Sequence, residues 1–255
     1  MNISIFGYGF VGKAHALALE GNSIKTHVYD PALGFDQLHD NPDAAIIAVS
    51  TPQKEDGSCD MYNVYNALSL IPEDVRVLIK STISLEGWRT IKNEYPNRAI
   101  TFSPEYLRAA YALEDFKNQD LVYIGDGDTY FWEDLISDAL NIQVVSVYGA
   151  EELILSKYFI NSFLATKVSF FNQIYDLCKT AEIDPDVVCT LVAEDKRIGD
   201  SHSYVTEERG FGGHCFPKDT SAIAFTGQNF NSPLTIIESA IKYNNELKNE
   251  SRNNI

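Results

Sequence analysis

The chain has 255 residues, of which 45% are hydrophobic and 22% charged, a composition typical of globular proteins. Asp and Glu outnumber Lys and Arg by 36 to 20, and the net charge of −16 argues against a nucleic-acid binder and against a surface attracted to anionic lipid. The N-terminus lacks a basic start, and no apolar run approaches the roughly 18 residues of a membrane span. Neither a secretory signal nor a membrane segment is therefore expected.

The cysteines are few and widely spaced, at Cys59, Cys178, Cys189 and Cys215, and they form no C-x-x-C pair. This pattern argues against a disulfide scaffold or a zinc cluster and favours a reducing cytoplasm. The five histidines show no metal-ligand spacing either, so no metal is expected.

The first half of the chain alternates short, almost wholly apolar runs with helical stretches. Such runs are typical of strands that are covered on both faces. The alternation predicts βαβ units and an α/β fold with a Rossmann-type, doubly wound parallel sheet. The expected strands are Asn2–Phe6, Lys25–Tyr29, Ala45–Val49, Arg76–Lys80, Ala99–Phe102, Leu121–Ile124 and Gln143–Val147.

The pattern changes near Gly149, after which the segment Glu151–Ala181 contains no Gly or Pro. Its apolar residues recur at helical spacing, which predicts one long, largely buried helix. We therefore divide the chain into a sheet domain, residues 1–149, and an all-helical domain, residues 150–255.

Further helix signals follow in the second domain. Asp184-Pro185 and Ser232-Pro233 each combine an N-cap residue with a proline suited to the first helical position. The glycine-rich segment Asp200–Gly213 predicts a loop. Leu234–Leu247 has helical periodicity, and the polar tail Lys248–Ile255 is expected to fray.

Directly after the first predicted strand, Gly7-Tyr8-Gly9-Phe10-Val11-Gly12 fits the pattern G-x-G-x-x-G. In a dinucleotide site, the glycines allow a tight turn, close approach to a pyrophosphate and close packing of helix on strand. Asp30 ends the second strand, where a carboxylate can bind ribose hydroxyls and would repel a 2′-phosphate. The pattern favours NAD over NADP, and the alternative is a glycine turn beside a surface aspartate.

The segment Gly210–Asp219 places a cysteine, Cys215, directly after a run of glycines. The glycines let a ligand approach the backbone, and the flanking His214 and Lys218 can favour the thiolate. Asp219 could orient water or take a proton. The alternative is a buried structural cysteine beside a glycine turn.

Lys157 and Asn161 are four residues apart on the long predicted helix and therefore share one face. An ammonium beside an amide could stabilise a developing oxyanion, and one such donor lowers a barrier by about 3–4 kcal/mol. The alternative is a lysine that extends its charge to solvent beside a surface asparagine.

Six separated segments together resemble the UDP-glucose/GDP-mannose dehydrogenase family, the nucleotide-sugar 6-dehydrogenases. They span nearly the whole chain in the family's order. The segments are Gly7–Gly12, Ser50-Thr51-Pro52, Lys80-Ser81-Thr82-Ile83, Ser103–Arg108, the helix from Lys157 through Asn161 to Asn172, and Gly210–Asp219.

The resemblance implies oxidation of a sugar C6 alcohol to a carboxylate with two NAD per turnover, with UDP-glucose, oxidised to UDP-glucuronate, as the expected substrate. Cys215 would attack the intermediate aldehyde to form a thiohemiacetal, which is oxidised to a thioester and then hydrolysed. The implied catalytic partners are Lys157 and Asn161 for the oxyanion, Asp219 with Thr82 for positioning water, and Glu105 as the base for hydrolysis.

The resemblance also implies binding residues and a partner. The NAD contacts, besides the motif glycines, would be Phe10, Val11, Asp30, Thr51, Thr82 and Lys218. The substrate contacts would be Glu105, Tyr106, Leu107, Lys157, Asn161, Tyr204 and Gly212. Arg197 matches an arginine that family members lend to the neighbouring subunit's site, which implies a homodimer built on the long helix.

The chain also departs from the family pattern. The family usually continues into a third domain that covers the nucleotide, whereas this sequence stops at Ile255. Ala109 stands where a second glutamate is usual, and Asp120 where an arginine is common. These departures leave the identity of the sugar open and put efficient turnover in question.

Two other functions remain open from the sequence. A non-catalytic NAD-binding subunit that works with a full-length partner fits the missing domain, although the retained Cys215 argues against it. A β-hydroxyacid dehydrogenase shares the glycine-rich domain and a lysine on a long helix, but it performs one hydride transfer and needs no thiol.

Overall fold

The computed structural model of the protein describes residues 1–21, 23–108, 111–140 and 144–253. Within these ranges the chain forms two units, the first of residues 1–52 and 59–157 and the second of residues 53–58 and 158–255. Ala109 and Gln143, both named in the sequence analysis, lie outside the described residues. The domain boundary after residue 149 stays a prediction.

In the described part of the first unit, seven strands form one sheet in the order β2-β1-β3-β4-β5-β6-β7. Every expected strand is present; β1 and β2 have the predicted ends, and the ends of the others differ by at most two residues. The strands are β1 (Asn2–Phe6), β2 (Lys25–Tyr29), β3 (Ala44–Ile47), β4 (Arg76–Ile79), β5 (Ile100–Phe102), β6 (Leu121–Gly125) and β7 (Val144–Tyr148).

The sheet is mostly parallel, which confirms the Rossmann-type fold class. The exception is the pair β5 and β6, which are antiparallel and joined at Phe102 and Gly125. A parallel neighbour requires a crossover connection of a dozen or more residues, usually a helix. Between β5 and β6 the described chain offers only the short helix Ala112–Lys117, and β6 enters the sheet in the opposite direction.

The helices that follow these strands cover the sheet. Within the described residues the helices are α1 (Phe10–Leu19), α2 (Tyr62–Leu70), α3 (Leu85–Glu94), α4 (Ala112–Lys117), α5 (Thr129–Leu140), α6 (Ala150–Thr180), α7 (Pro185–Ala193), α8 (Cys215–Asn229) and α9 (Thr235–Asn253), with a 3-10 turn at Pro31–Leu33.

The core of the first unit consists of strand residues packed against helix residues. Ile3, Ile5 and Ile46 are fully buried, and Trp132 of α5 packs in the same cluster. Burial of apolar area stabilises a fold by roughly 25 cal/mol per Å². This core fixes the strand ends from which the functional loops emerge.

The long predicted helix is present as α6, but it is not largely buried, since Phe163, Phe170 and Leu177 are exposed. The predicted cap at Asp184 is confirmed, and its carboxylate accepts a hydrogen bond from the Asp186 N–H at 3.0 Å. The last helix differs from the prediction. α9 begins at Thr235, so Ser232-Pro233 precedes the helix and the predicted cap there is wrong. The helix extends to Asn253 instead of fraying after Leu247, and Asn254 and Ile255 lie outside the described residues. The Lys248 ammonium donates to the Glu208 carbonyl at 2.9 Å, which anchors this end. None of the described helices combines the length and apolar composition needed to cross a bilayer.

Candidate active site

The glycine turn between β1 and α1 has the geometry of a dinucleotide cradle. Gly7 has a φ of +89°, and a Cβ there would lie 2.6 Å from the Ala48 carbonyl oxygen. A Cβ at Gly12 would overlap the Gly7 carbonyl oxygen, whereas a Cβ at Gly9 would meet no atom within 4 Å. Gly7 and Gly12 are therefore required by packing, and Gly9 leaves room for a ligand at the helix N-terminus.

A cavity of about 400 Å³ lies beside this turn. Its walls come from the carboxyl ends of β1, β2 and β3, where the strand order reverses and open α/β sheets bind ligands. Asp30 lines the cavity, and its Oδ2 accepts a hydrogen bond from the Tyr8 N–H at 2.7 Å. The carboxylate thus fixes the turn and faces the space where a ribose would bind, so the residues fit a dinucleotide.

The two glycines give a matched pair of substitutions. Gly12→Ala should destabilise the protein by more than about 2 kcal/mol, because the new methyl group meets backbone that cannot move. Gly9→Ala should change stability by less than about 0.5 kcal/mol, because Gly9 has an ordinary φ of −67° and open space around it. It should nevertheless weaken NAD binding at least about tenfold, since the methyl group occupies the approach to the pyrophosphate.

Thermal unfolding and NAD titration by fluorescence measure both variants. Equal unfolding temperatures for Gly9→Ala and Gly12→Ala would contradict the packing argument. Unchanged NAD affinity in Gly9→Ala would contradict the position of the pyrophosphate.

Three buried ionisable side chains meet at the carboxyl ends of β4 and β5. The Lys80 Nζ lies 3.1 Å from Glu105 Oε2 and donates to Ser103 Oγ at 2.9 Å. On the other side, His15 Nε2 lies 3.9 Å from the same carboxylate oxygen. A buried carboxylate is tolerable here because an ammonium compensates its charge.

These neighbours set the ionisation of the cluster. Burial and the Lys80 ammonium lower the pKa of His15 to about 4, so the imidazole is neutral at neutral pH. Burial alone would raise the pKa of Glu105, but the attraction of the Lys80 ammonium and the hydrogen bond from the Tyr106 N–H outweigh it and hold that pKa below its ordinary value. Glu105 is therefore a carboxylate, the form that a base requires.

Lys157 of α6 is buried in the first unit. Its ammonium donates to the main-chain carbonyl of Glu105 and lies 4.7 Å from the centre of the Tyr106 ring. A lysine whose charge extends to solvent would not show this environment. The first unit thus brings together Glu105, Tyr106 and Lys157, which the sequence assigned to the substrate.

In the second unit, Asn161 and Asp219 form a buried pair. The Asn161 Nδ2 donates to Asp219 Oδ2 at 2.5 Å, and the Lys218 ammonium donates to Asp219 Oδ1 at 2.5 Å. This buried pair contradicts the alternative in which Asn161 is a surface residue beside a solvent-exposed lysine. The Asp219 carboxylate is held in one orientation by a cation and an amide.

Cys215 is the first residue of α8 and is exposed, whereas Cys59, Cys178 and Cys189 are buried. Exposure contradicts the alternative of a buried structural cysteine. Among the four cysteines, Cys215 is thus the one that a ligand can reach.

The other candidate residues differ in exposure, from buried Thr51 to fully exposed loop residues. In the first unit, the Thr51 hydroxyl donates to the Thr82 carbonyl at 2.6 Å, which joins two predicted NAD contacts. In the second, Arg197 is 88% exposed and pairs with Asp195 at 2.6 Å. Of the remaining candidates, Phe10, Tyr204 and Gly212 are exposed, and Val11 and Leu107 are partly buried.

The candidates are thus divided between the units. Lys157, Glu105 and Thr82 belong to the first unit, and Cys215 and Asp219 belong to the second. A joint site stays a proposal. Sequence reasoning did not assign roles to Lys80 or His15, although a lysine at the end of an apolar strand is a signal that could have marked Lys80.

Within the described ranges, no group of three or more His, Cys, Asp or Glu side chains could hold a metal ion.

The fold and the cradle define a dinucleotide-binding protein with an accessible cysteine. Two family models match the chain, the NAD binding domain of the UDP-glucose/GDP-mannose dehydrogenase family at residues 23–136 and the central domain of that family at residues 151–246. The chain belongs to this family, and its cofactor is NAD.

Individual relatives agree with the family assignment. The chain is 32% identical over 245 residues to a UDP-glucose 6-dehydrogenase of Rickettsia felis, covering 90% of this chain and 52% of that protein. It is 34% identical over 225 residues to a UDP-glucose 6-dehydrogenase of Rhizobium meliloti, covering 81% and 51%. The chain therefore spans about half the length of the curated relatives it matches.

Among solved structures, a UDP-glucose dehydrogenase from the hyperthermophilic archaeon Pyrobaculum islandicum matches with a TM-score of 0.82 and 28% identity. The match covers 96% of this chain and 68% of that one. The similarity therefore extends through both units of the chain.

Proposed function

We propose that the protein oxidises the C6 alcohol of a nucleotide sugar to a carboxylate, with UDP-glucose as substrate and UDP-glucuronate as product. The observation that carries the proposal is Cys215, the exposed thiol at the first residue of α8. A single hydride transfer needs no thiol, whereas oxidation to a carboxylate profits from a nucleophile that retains the aldehyde.

Bound NAD would accept the hydride in each of the two oxidations. The chain's part in the first is to hold the sugar so that its C6 carbon faces the cavity at the glycine turn. The hydroxyl proton would be released to water, and the Lys157 ammonium and the Asn161 amide would stabilise the negative charge that develops on the C6 oxygen. A buried ammonium is effective because little water screens it.

Cys215 would then attack the aldehyde carbon as a thiolate. A C–S bond forms, and the carbonyl electron pair moves to oxygen, giving a thiohemiacetal anion beside Lys157 and Asn161. The second oxidation leaves a thioester on the sulfur. Water attacks this thioester, Glu105 takes one proton from the water, and the sulfur leaves with the bonding electron pair.

Asp219 and Thr82 would position the water. The orientation of Asp219 is fixed by Asn161 and Lys218, so its carboxylate can accept a hydrogen bond from water without rotating. A water molecule held in this orientation attacks the thioester faster than one that must first diffuse into place.

The direct test incubates the purified protein with NAD and each of several UDP- and GDP-sugars, and follows NADH by its absorbance and the sugar product by mass spectrometry. Uronate formation with two NADH per sugar supports the proposal. No NADH with any nucleotide sugar would overturn it and favour a non-catalytic subunit. One NADH per molecule with a hydroxy acid would favour a β-hydroxyacid dehydrogenase.

We also propose a homodimer through α6. Phe163, Phe170 and Leu177 are exposed and spaced by seven residues, so they form an apolar row on one face of the helix. Rows of this kind mark interaction surfaces. Arg197 would reach the site of the partner, where its guanidinium can bind phosphate or sugar oxygens in bidentate fashion.

Mixing two inactive variants tests this arrangement. Arg197→Ala and Cys215→Ser should each be inactive alone, and subunit exchange should restore about a quarter of the wild-type sites, because each heterodimer contains one site with both residues. Activity is measured before and after exchange, and analytical ultracentrifugation gives the oligomeric state. Failure to recover activity despite confirmed exchange would show that Arg197 does not act across subunits.

A further inference from the structure

The proposed reaction leaves two buried ionisable groups beside Glu105, Lys80 and His15, without a role. His15 is almost fully buried on α1, and its ring lies against the Phe116 ring with centroids 4.1 Å apart. Burying a polar ring of this kind is unfavourable unless both nitrogens are satisfied.

The first nitrogen determines the tautomer. His15 Nδ1 lies 2.9 Å from the Val11 carbonyl oxygen. A carbonyl oxygen can only accept, so Nδ1 carries the ring proton and donates it. A neutral ring then has no proton on Nε2, which is left with a lone pair.

The second nitrogen faces the carboxylate. Nε2 lies 3.9 Å from Glu105 Oε2, and both atoms are acceptors while Glu105 is ionised. Within the described residues, Oε2 accepts no hydrogen bond of good geometry, and the Lys80 ammonium lies 3.1 Å from it as an ion pair. If one of these two atoms gains a proton, a hydrogen bond can form between them once the distance from Nε2 to Oε2 shortens to about 2.7 Å.

The charged groups around the carboxylate favour ionised Glu105 in the resting site. Lys80, at the end of β4, pairs with the carboxylate, and Lys157 of α6 donates to the main-chain oxygen of Glu105. When Glu105 gains a proton, it loses its attraction for Lys80 and becomes a donor. Nε2 of His15 is the acceptor in place to receive that donor.

We propose that His15 is a positioning residue for Glu105, and that its Nε2 accepts a hydrogen bond from the proton that Glu105 takes from the hydrolytic water. The inference rests on the proposed function. In the balanced step, the water oxygen attacks the thioester carbon and one water proton passes to Glu105. The C–S bond breaks, its electron pair leaves with the Cys215 sulfur, and His15 holds the new Glu105 O–H.

The first test needs neither substrate nor cofactor. Histidine side-chain nitrogen resonances, with the His15 signal assigned by its loss in His15→Phe, report which nitrogen is protonated. We expect a neutral ring with the proton on Nδ1 at neutral pH and no protonation until the pH approaches the lowered pKa of about 4. A proton on Nε2 at neutral pH would overturn the inference, because that nitrogen could then accept nothing.

The second test measures the lifetime of the thioester in rapidly quenched samples by intact-protein mass spectrometry. His15→Phe keeps the ring contact with Phe116 but removes the acceptor, and the thioester should persist at least about tenfold longer while forming at a similar rate. Because Nε2 would accept a hydrogen bond only from protonated Glu105, its removal destabilises that form, and the acid limb of the hydrolysis pH profile should move to lower pH. His15→Gln, whose amide oxygen can accept, should recover part of the rate.

His27→Phe is the matched control, because His27 lies on β2 against His39, with ring centroids 4.0 Å apart, and outside the cluster. It should leave thioester lifetime and pH profile unchanged. An unchanged lifetime in His15→Phe, or slowing of formation and hydrolysis to the same extent in both His15 variants, would overturn the inference. Wild-type protein that forms no thioester with any nucleotide sugar would overturn the proposed function and the role of His15 in it, whatever the tautomer.

Discussion

Cys215→Ser is expected to reduce uronate formation at least about 10³-fold, the largest effect of any substitution considered for this protein. A serine hydroxyl at neutral pH is almost entirely protonated. No other group in the proposed reaction replaces the thiolate that retains the aldehyde. Because Cys215 is exposed, the free energy of unfolding should change by less than about 0.5 kcal/mol, and NAD binding should be unaffected.

Cys178→Ala is the control, since Cys178 is a buried cysteine of α6. It should lose some stability but retain activity. Iodoacetamide should label Cys215 far ahead of the three buried cysteines, and substrate should block the labelling. Equal, slow labelling of all four cysteines, or uronate formation by Cys215→Ser within tenfold of wild type, would contradict the role of the thiol.

Lys157→Met is expected to lower kcat by about 10²–10³-fold with a smaller change in KM. Methionine retains the apolar stem but removes the ammonium that would stabilise the oxyanions of both oxidations. The main-chain carbonyl of Glu105 also loses a donor, so a modest fall in unfolding temperature is expected. Steady-state kinetics and thermal unfolding measure the two effects separately.

Lys179→Met is the matched control on the same helix. Like Lys157, Lys179 lies over a tyrosine ring, 5.4 Å from the centre of Tyr175, but it is exposed. Its kinetic constants should stay within about twofold of wild type. A kcat for Lys157→Met within tenfold of wild type would show that this ammonium does not stabilise the reacting oxygen.

Local sequence patterns predicted much of the fold. The strands could be found because parallel strands buried on both faces require continuous apolar runs, as in β3 and β4. The long helix α6 could be found because 31 residues contain neither Gly nor Pro. The cap at Asp184 and the glycine turn follow from residue types that each conformation requires.

Other features depend on information that a local pattern does not contain. The antiparallel direction of β6 depends on how the chain between β5 and β6 runs, and its run of apolar residues looks the same in either direction. The start of α8 at Cys215 is hard to predict, because the preceding glycines and Pro217 usually indicate a loop. Proline is nevertheless tolerated in a first helical turn.

The candidate site also contains some residues that the sequence could identify and one whose role it could not. Glu105 and Lys157 could be named from the motifs they occupy, and Lys157 is indeed beside the Glu105 backbone. The contribution of His15 could not, because it comes from α1 and meets Glu105 across 90 residues of sequence. Long-range pairs of ionisable groups are specified by packing of the whole sheet, so only the structure shows them.

The most direct measurement is the mass of the Cys215 peptide from protein quenched during turnover with UDP-glucose and NAD. The proposed chemistry predicts a uronyl group attached to this peptide through sulfur, lost on treatment with hydroxylamine and absent from the peptides of the other three cysteines. Steady production of uronate by protein whose Cys215 stays unmodified at every quench time, with Cys215→Ser equally active, would contradict it.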